Sequence, residues 1–176
     1  TRLQRRFVSC LALLACGLGA AQVPAQTAAA SSLQPAPAPA PVAYQLDSGH
    51  TRVHWEVDHM GLSTTRGRID QLSGAIGFDA ASRQIDVSIT ADPASVSTGS
   101  AGFDKIMRGS QLLSVEAFPA AYYTARQASW DGGKLTELSG EITLRGISRP
   151  LRLRVLRFGC GFNPLFKREV CGGDFE

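Results

Sequence analysis

Between Arg52 and Val57 the apolar residues fall on every second position: Val53, Trp55 and Val57, with Arg52, His54 and Glu56 between them. A period of two marks a strand with one dry face and one wet face. The pattern breaks at His59-Met60-Gly61, passes through Ser63-Thr64-Thr65 and resumes at Arg66–Ile69, which predicts a hairpin. Tyr44–Asp47 leads into it, Arg66–Phe78 supplies one or two strands, and Ile85–Ala91 alternates as Ile85, Val87 and Ile89. Ser95–Thr98, Ala120–Trp130, Lys134–Leu144 and Pro150–Phe158 follow, with Asp131-Gly132-Gly133 and Arg145-Gly146 as turns. Short strands with this punctuation predict an all-β barrel or sandwich. Phe103–Leu113 departs from it. Its apolar residues at 103, 106, 107, 112 and 113 form a helical stripe, weakened by Gly109, so a short helical segment is expected there to cap the core.

The apolar strand positions can share one interior: Val53, Trp55, Val57, Ile76, Phe78, Val87, Ile89, Leu151, Leu153 and Val155. A closed barrel of about eight strands has an interior that is either filled by side chains or just wide enough for a small ligand. Alternation leaves both open. Arginines at 145, 149, 152, 154 and 157 crowd the last strand, where Arg152 and Arg154 share the face opposite Leu151, Leu153 and Val155. That pattern reads as a solvated outer face, with contact to anionic lipid headgroups as the alternative.

The first part of the chain is different. Residues 1–25 carry Arg2, Arg5 and Arg6, then the apolar run Phe7–Leu18, then small residues, the layout of an export signal. The run is shorter than the roughly 20 apolar residues that span a bilayer. Small residues at Gly19-Ala20-Ala21 and Val23-Pro24-Ala25 suit cleavage, while Leu13-Leu14-Ala15-Cys16 resembles a lipoprotein box in which Cys16 would be acylated. Residues 26–43 are an Ala/Pro-rich linker without charge, its prolines at 35, 37, 39 and 41 favouring an extended tether. Residues 44–176 form the globular domain. Of 18 basic and 15 acidic residues, three arginines lie in the leader, so the domain is formally neutral and composition gives no argument for nucleic-acid binding.

Candidate chemistry is sparse. His50 and His54 share a strand face, His59 falls on the opposite parity, and no second His or Cys cluster completes a coordination shell, so no metal is expected. Glu56, Asp58 and His59 make an acid–base set only on paper, and no nucleophile elbow, P-loop or dinucleotide fingerprint is present, so no catalytic residue is assigned. His59, at the strand break, reads as a hydrogen-bonding residue of the hairpin. Cys160 and Cys171, in an exported domain, read as a disulfide closing a local loop; the alternative, a metal or redox pair, has neither CxxC spacing nor a nearby His to support it. Gly173–Glu176 has no turn or cap and reads as the opening of a strand cut short.

Five blocks in order carry a family resemblance. Val57–Ser63 followed by Arg66-Gly67-Arg68 resembles the V-x-H-x-G-x-S…G-R-F hairpin of the YceI-like family, with Ile69 in place of Phe. Gly74–Asp79 and Ser95–Gly99 match the next two blocks. Met107–Pro119 is similar to its L-R-S-x-x-F-F-D-V-x-x-F-P block, with Gly109 disturbing the serine position and Leu112-Leu113 replacing the aromatic pair. Leu138–Leu144 with Gly146 and Pro150 matches L-x-G-x-L-T-x-x-G-x-x-x-P.

The resemblance implies an antiparallel eight-stranded lipocalin-like barrel that holds a polyisoprenoid, isoprenoid quinone or fatty-acid-like lipid in its lumen. It implies a bacterial periplasmic or secreted protein, continuing past Cys171 with further closing strands, so that this chain is truncated at its C-terminus and the barrel is incomplete. The ligand-lining residues expected on this basis are Val53, Trp55, Val57, Phe78, Val87, Ile89, Leu153 and Val155, with His59 at the tunnel mouth. No cofactor is expected beyond a bound isoprenoid lipid or quinone. Membrane proximity through lipid delivery or Cys16 acylation, and a homodimer, remain open. The leading reading is a non-enzymatic carrier. The alternatives are an enzyme acting on a lipid or quinone through His59 with Asp58 or Glu56, and a tethered structural or interaction module with a filled interior.

Overall fold

The computed structural model describes residues 42–79 and 81–176. The expected export signal, with Cys16, and the expected linker up to residue 41 lie outside the described residues. Strands are β1 (Val42–Gln45), β2 (Val53–His59), β3 (Ser63–Ile69), β4 (Leu72–Asp79), β5 (Gln84–Ala91), β6 (Val96–Ser97), β7 (Ala121–Asp131), β8 (Lys134–Leu144), β9 (Ile147–Asn163) and β10 (Arg168–Phe175), with one helix, α1 (Ala101–Arg108). Seven strands form one antiparallel sheet in the order β1-β4-β5-β7-β8-β9-β10, and β2-β3-β6 form a second. The expected class holds: all-β, antiparallel, one short helix, the large sheet curling into a half-barrel. Ten strand segments stand where eight were expected, because the Arg66–Phe78 run is broken at Asp70-Gln71 into β3 and β4 and because Arg168–Phe175 forms β10, whose last residues had been expected to open a further strand. No helix among the described residues is long and apolar enough to cross a membrane.

Turn chemistry explains the hairpins. In β7–β8, Asp131 pairs with Lys134, and Gly132 and Gly133 between them have φ of 52° and 86°. In β8–β9, Leu144 pairs with Ile147 across Arg145 and Gly146, at φ 52° and 72°. Two successive positive φ angles are what a tight type I′ turn demands. The β2–β3 turn uses Met60 (φ 61°) and Gly61 (φ 70°), and the Asp58 carboxylate accepts the Gly61 N–H at 2.7 Å.

The corner between the two sheets is at Asp70-Gln71. Ser95 Oγ accepts the N–H of Asp70 (3.1 Å) and of Gln71 (2.9 Å) and donates to the Asp92 carbonyl (2.6 Å). The 3-10 turn Pro93–Ser95 that carries this serine is capped by Asp92, whose carboxylate accepts the Ala94 N–H. Next to it Val96, 1% exposed, is the most deeply buried large side chain among the described residues. Helix α1 is tied to the same corner. Arg108 donates to the carbonyls of Ala94 (2.7 Å) and Val96 (3.0 Å), and Asp104 accepts the N–H and the hydroxyl of Thr98, both at 2.7 Å. The helix begins at its Ser100 cap and stops at Gly109, so it is shorter than the expected Phe103–Leu113 stripe. Leu112 and Leu113 follow in turns.

Curvature brings the outer edges of the large sheet together. Tyr44 on β1 and Glu169 on β10, at opposite ends of the strand order, are joined by a hydrogen bond of 2.5 Å from the phenol to the carboxylate. That bond, more than burial or the glutamate's charge, holds the Tyr44 phenol above its ordinary range. The ladder between these edges is missing: the half-barrel meets through side chains only among the described residues.

Two outcomes test the corner. Ser95→Ala removes a side-chain acceptor shared by two backbone donors, of which the Asp70 N–H keeps the Ser95 carbonyl at 3.3 Å and Gln71 is exposed, and is expected to cost about 0.5–1.5 kcal/mol in urea unfolding. Asp104 is held below the ordinary carboxylate range, first by the Thr98 hydroxyl, then by the Thr98 N–H. A depressed folded pKa means the contribution is complete above the unfolded value of about 3.9 and is lost as pH falls through the folded one. Thermal melts of the native chain should therefore lose stability on that acid limb, and Asp104→Asn should flatten this part of the profile.

Candidate functional site

One face of the large sheet is apolar and concave. Its buried centre is Ile85, Val87, Tyr123, Ala125, Leu135 and Leu138, with Ile76, Phe78, Ile89, Trp130, Leu151, Leu153, Val155 and Phe158 packed half-buried around it. Simple alternation would send Leu135 and Leu138 to opposite faces. The register shift between Ser129 and Trp130, where Thr136 is the extra residue on β8, lets both turn inward, and a second shift between Ala125 and Gln127 adds a residue to β7. Bulges of this kind bend a strand and increase its twist, which suits a sheet that must curl.

The two ends of this face differ. At one end Phe78 stacks on Trp130 (centroids 5.9 Å) and meets Phe158 edge-on (5.5 Å), and Phe158 in turn lies near Phe175 (6.5 Å). Phe78 is on β4 and Phe158 on β9, strands separated by β5, β7 and β8 in the sheet, so this aromatic cluster crosses the hollow and closes it. Trp130 Nε1 is buried within it and has no hydrogen-bond partner. At the other end an open cleft of about 750 Å³ lies over the beginning of β4, the end of β5 and the approach to β7, lined by Leu72, Thr90, Ala91 and Ala120 and by the polar Arg52, Arg68, Asp70 and Asp92. Asp70 bridges both arginines, at 3.1 Å from Arg52 and 2.7 Å from Arg68.

The middle of the face is closely packed against β8. Gly140 has no room for a side chain: a Cβ there would collide with the Thr124 carbonyl, the Ala125 methyl and the Tyr123 hydroxyl. Tyr123 is 8% exposed, and its hydroxyl reaches the Leu138 carbonyl only at 3.5 Å. Burial, then the charge of Glu137, raises its phenol above the ordinary range.

The expected site residues divide into two groups. Phe78, Val87, Ile89, Leu153 and Val155 come together on the concave face. Val87 is 3% exposed and part of the packed centre, whereas Ile89, Leu153 and Val155 remain half-exposed. Val53, Trp55 and Val57 lie on β2 in the smaller sheet and are not in that cluster. Val53 and Val57 are 43% and 58% exposed, and the Trp55 indole packs over Gly67, its partner on β3, where a Cβ would strike the ring. Alternation identified their shared parity but could not show that β3 parts from β4 at a corner.

The polar candidates are dispersed. Glu56 pairs with Arg66 (3.0 Å), Asp58 holds the turn, and His59 is exposed at the hairpin tip. Neither they nor His54 line the open cleft. His50 Nδ1 is engaged by Asp47 at 2.8 Å, which lowers that aspartate's pKa. Arg152 and Arg154 are exposed beside half-buried Leu151, Leu153 and Val155, and Arg154 pairs with Glu176. Cys160 and Cys171 are joined, directly opposite one another in the β9–β10 ladder with Cα atoms 4.0 Å apart. The intervening segment is therefore a continuation of the hairpin, β9 running on to Asn163 and β10 resuming at Arg168, and not a separate local loop. Glu169, which no local motif singles out, lies beside both sulfurs.

An antiparallel half-barrel with an apolar hollow, plugged by aromatics at one end and open at a polar cleft at the other, has the build of a lipocalin-like barrel. The chain belongs to the YceI-like family: the model of the YceI-like domain matches residues 44–175. Protein YceI of Salmonella arizonae is 31% identical over 124 residues, covering 69% of this chain and 64% of that protein. The chain thus spans a little under two thirds of the curated relatives it matches. Among solved structures, the Campylobacter jejuni YCEI protein superposes with a TM-score of 0.54 at 23% identity, over 72% of this chain and 74% of that one. Burkholderia cenocepacia BcnA gives 0.56 at 20% identity, over 66% and 72%. At these identities the superpositions establish the fold.

Gly140→Ala is expected to cost about 1–3 kcal/mol in denaturant unfolding, the range for overpacking a filled core. Tyr123→Phe should cost about 1 kcal/mol or less, because the bond it removes is long. Combining the two should not rescue the glycine substitution, since the Thr124 carbonyl is backbone and cannot move aside.

Proposed function

We propose that this domain binds a long-chain apolar amphiphile, a polyisoprenoid, isoprenoid quinone or fatty-acid-like lipid, and sequesters or carries it outside the cytoplasm. The observation that carries this reading is the one-sided apolar hollow, whose packed centre around Val87 and Leu138 is flanked by half-exposed Ile76, Ile89, Leu151, Leu153 and Val155. Those flanks offer apolar surface that a hydrocarbon chain can cover, and covering it is favourable by about 25 cal/mol per Å². Phe78 and Phe158 would meet the chain's far end, and the cleft at Leu72 and Ala91 would admit its polar head. Val53, Trp55 and Val57 offer a second apolar strip on β2, and His59 stands at the tip of that hairpin. Export by the leader agrees with such a role and with the joined cysteines.

Carriage fits the polar groups better than catalysis does. Glu56 and Asp58 already serve an ion pair and a turn, and the open cleft does not gather them with His59. Catalysis needs such groups within hydrogen-bond reach of one reacting atom.

The test is binding by the whole chain after removal of co-purified lipid. A polyprenol, an isoprenoid quinone and a long-chain fatty acid should each be titrated while the fluorescence of Trp130 and Trp55 is followed, with native mass spectrometry for stoichiometry. At least one should bind, and Leu153→Lys or Ile89→Lys should weaken it by tenfold or more, since losing one buried aliphatic contact is worth about 1.5–3 kcal/mol. Normal sheet circular dichroism with no uptake of any of the three would sink the reading.

A further inference from the structure

Away from the hollow, the far part of the β9–β10 hairpin gathers three metal-ligating side chains. The sulfurs of Cys160 and Cys171 and a carboxylate oxygen of Glu169 lie within 4.8 Å of one another, the one such group among the described residues. Strand geometry accounts for it. Cys160 and Cys171 are cross-strand partners, and Glu169, two residues before Cys171, projects from the same face of β10. Cys160 and Glu169 are exposed and Cys171 is half-buried.

The surroundings of the cysteines point the same way. Gly159, Gly161 and Gly172 adjoin them, and a Cβ at any of these three would meet nothing within 4 Å. None of the three has positive φ. Neither packing nor backbone conformation therefore requires glycine at these positions. What their bareness leaves is an unshielded disulfide, open to the attacking thiolate that exchange requires.

The geometry points to a redox-gated cation site: once the Cys160–Cys171 bond is reduced, the two thiolates and the Glu169 carboxylate bind one thiophilic cation of the zinc class. Reduction takes two electrons from an external dithiol, which becomes its own disulfide while two protons go to the two sulfurs. Cation binding then displaces those two protons. Donors around one tetrahedral zinc ion sit at about 2.3 Å (sulfur) and 2.0–2.2 Å (oxygen) from it, so side chains already this close need only small rotations to converge, and a fourth position is left for water. Thiolate pairs favour such soft or borderline cations over magnesium or calcium. In the oxidised protein the sulfurs are bonded to each other and the site does not exist. Loading it also recruits Glu169, the acceptor of the Tyr44 hydroxyl, so the cation and the β1–β10 contact compete for one carboxylate.

The experiment uses the whole chain with Cys10→Ser and Cys16→Ser, so that Cys160 and Cys171 are its remaining cysteines. After dithiothreitol treatment and its anaerobic removal, the protein is titrated with Cd²⁺. The expected result is a thiolate-to-cadmium charge-transfer absorption that saturates at one equivalent and is absent from the oxidised protein and from Cys160→Ser/Cys171→Ser. Glu169→Gln should weaken binding by about tenfold or more, in the range found when groups supporting a metal site are removed, whereas Tyr44→Phe should retain it. No band in a reduced protein with an intact sheet spectrum overturns the proposal. So does cadmium affinity unchanged by Glu169→Gln, or a reduced protein that loses its sheet spectrum and does not regain it on adding cadmium.

Discussion

The bend at Asp70-Gln71 decides what the rest of the chain can do. Two consecutive backbone N–H groups turn away from the strand ladders there, that of half-buried Asp70, which also reaches the Ser95 carbonyl at 3.3 Å, and that of exposed Gln71. Ser95 Oγ satisfies both. Because the same turn is gripped by Arg108 and followed by Val96 and by the Thr98–Asp104 contact, the helix belongs to the corner more than to the hollow. With the corner fixed, β3 leaves with β2 and β6, and β4 is free to begin the long sheet whose other face becomes the apolar one.

Within that sheet, packing is uneven in a way that suits a carrier. β7 and β8 meet through Gly140, so the Tyr123 side chain lies flat on the neighbouring strand and that sector is filled. The flanks on β5 and β9 keep aliphatic side chains half-exposed. A filled sector gives the domain a core that stands without ligand, and the flanks retain the surface that a ligand would cover.

Much of this was legible in the sequence, and the failures are instructive. The turns at Gly132-Gly133 and Arg145-Gly146, the strand Lys134–Leu144 and the solvent-facing Arg152 and Arg154 follow from local chemistry, and the structure has them in place. Local chemistry does not report where a ladder slips. The shift at Thr136, between Leu135 and Leu138, resets parity without a mark in the sequence, so those two core residues were not singled out. Nor does parity say which sheet a strand joins, and Val53, Trp55 and Val57 consequently stand apart from the main cluster. Tyr44 and Glu169 are separated by 125 positions, and only the curl of the sheet makes them neighbours.

That last pair has a mechanical consequence. Where strands share a ladder their spacing is pinned near 4.8 Å, and a barrel closed that way has a girth fixed by its strand number. A phenol meeting a carboxylate imposes no such step. Each side chain turns about several single bonds, so the two margins can part or slide without rupturing any main-chain hydrogen bond. Among the described residues the sheet is then closer to a clasped sleeve than to a rigid can. Parting the margins also draws Phe78 away from Phe158, so the work of opening falls on side-chain contacts while the sheet behind them stays whole.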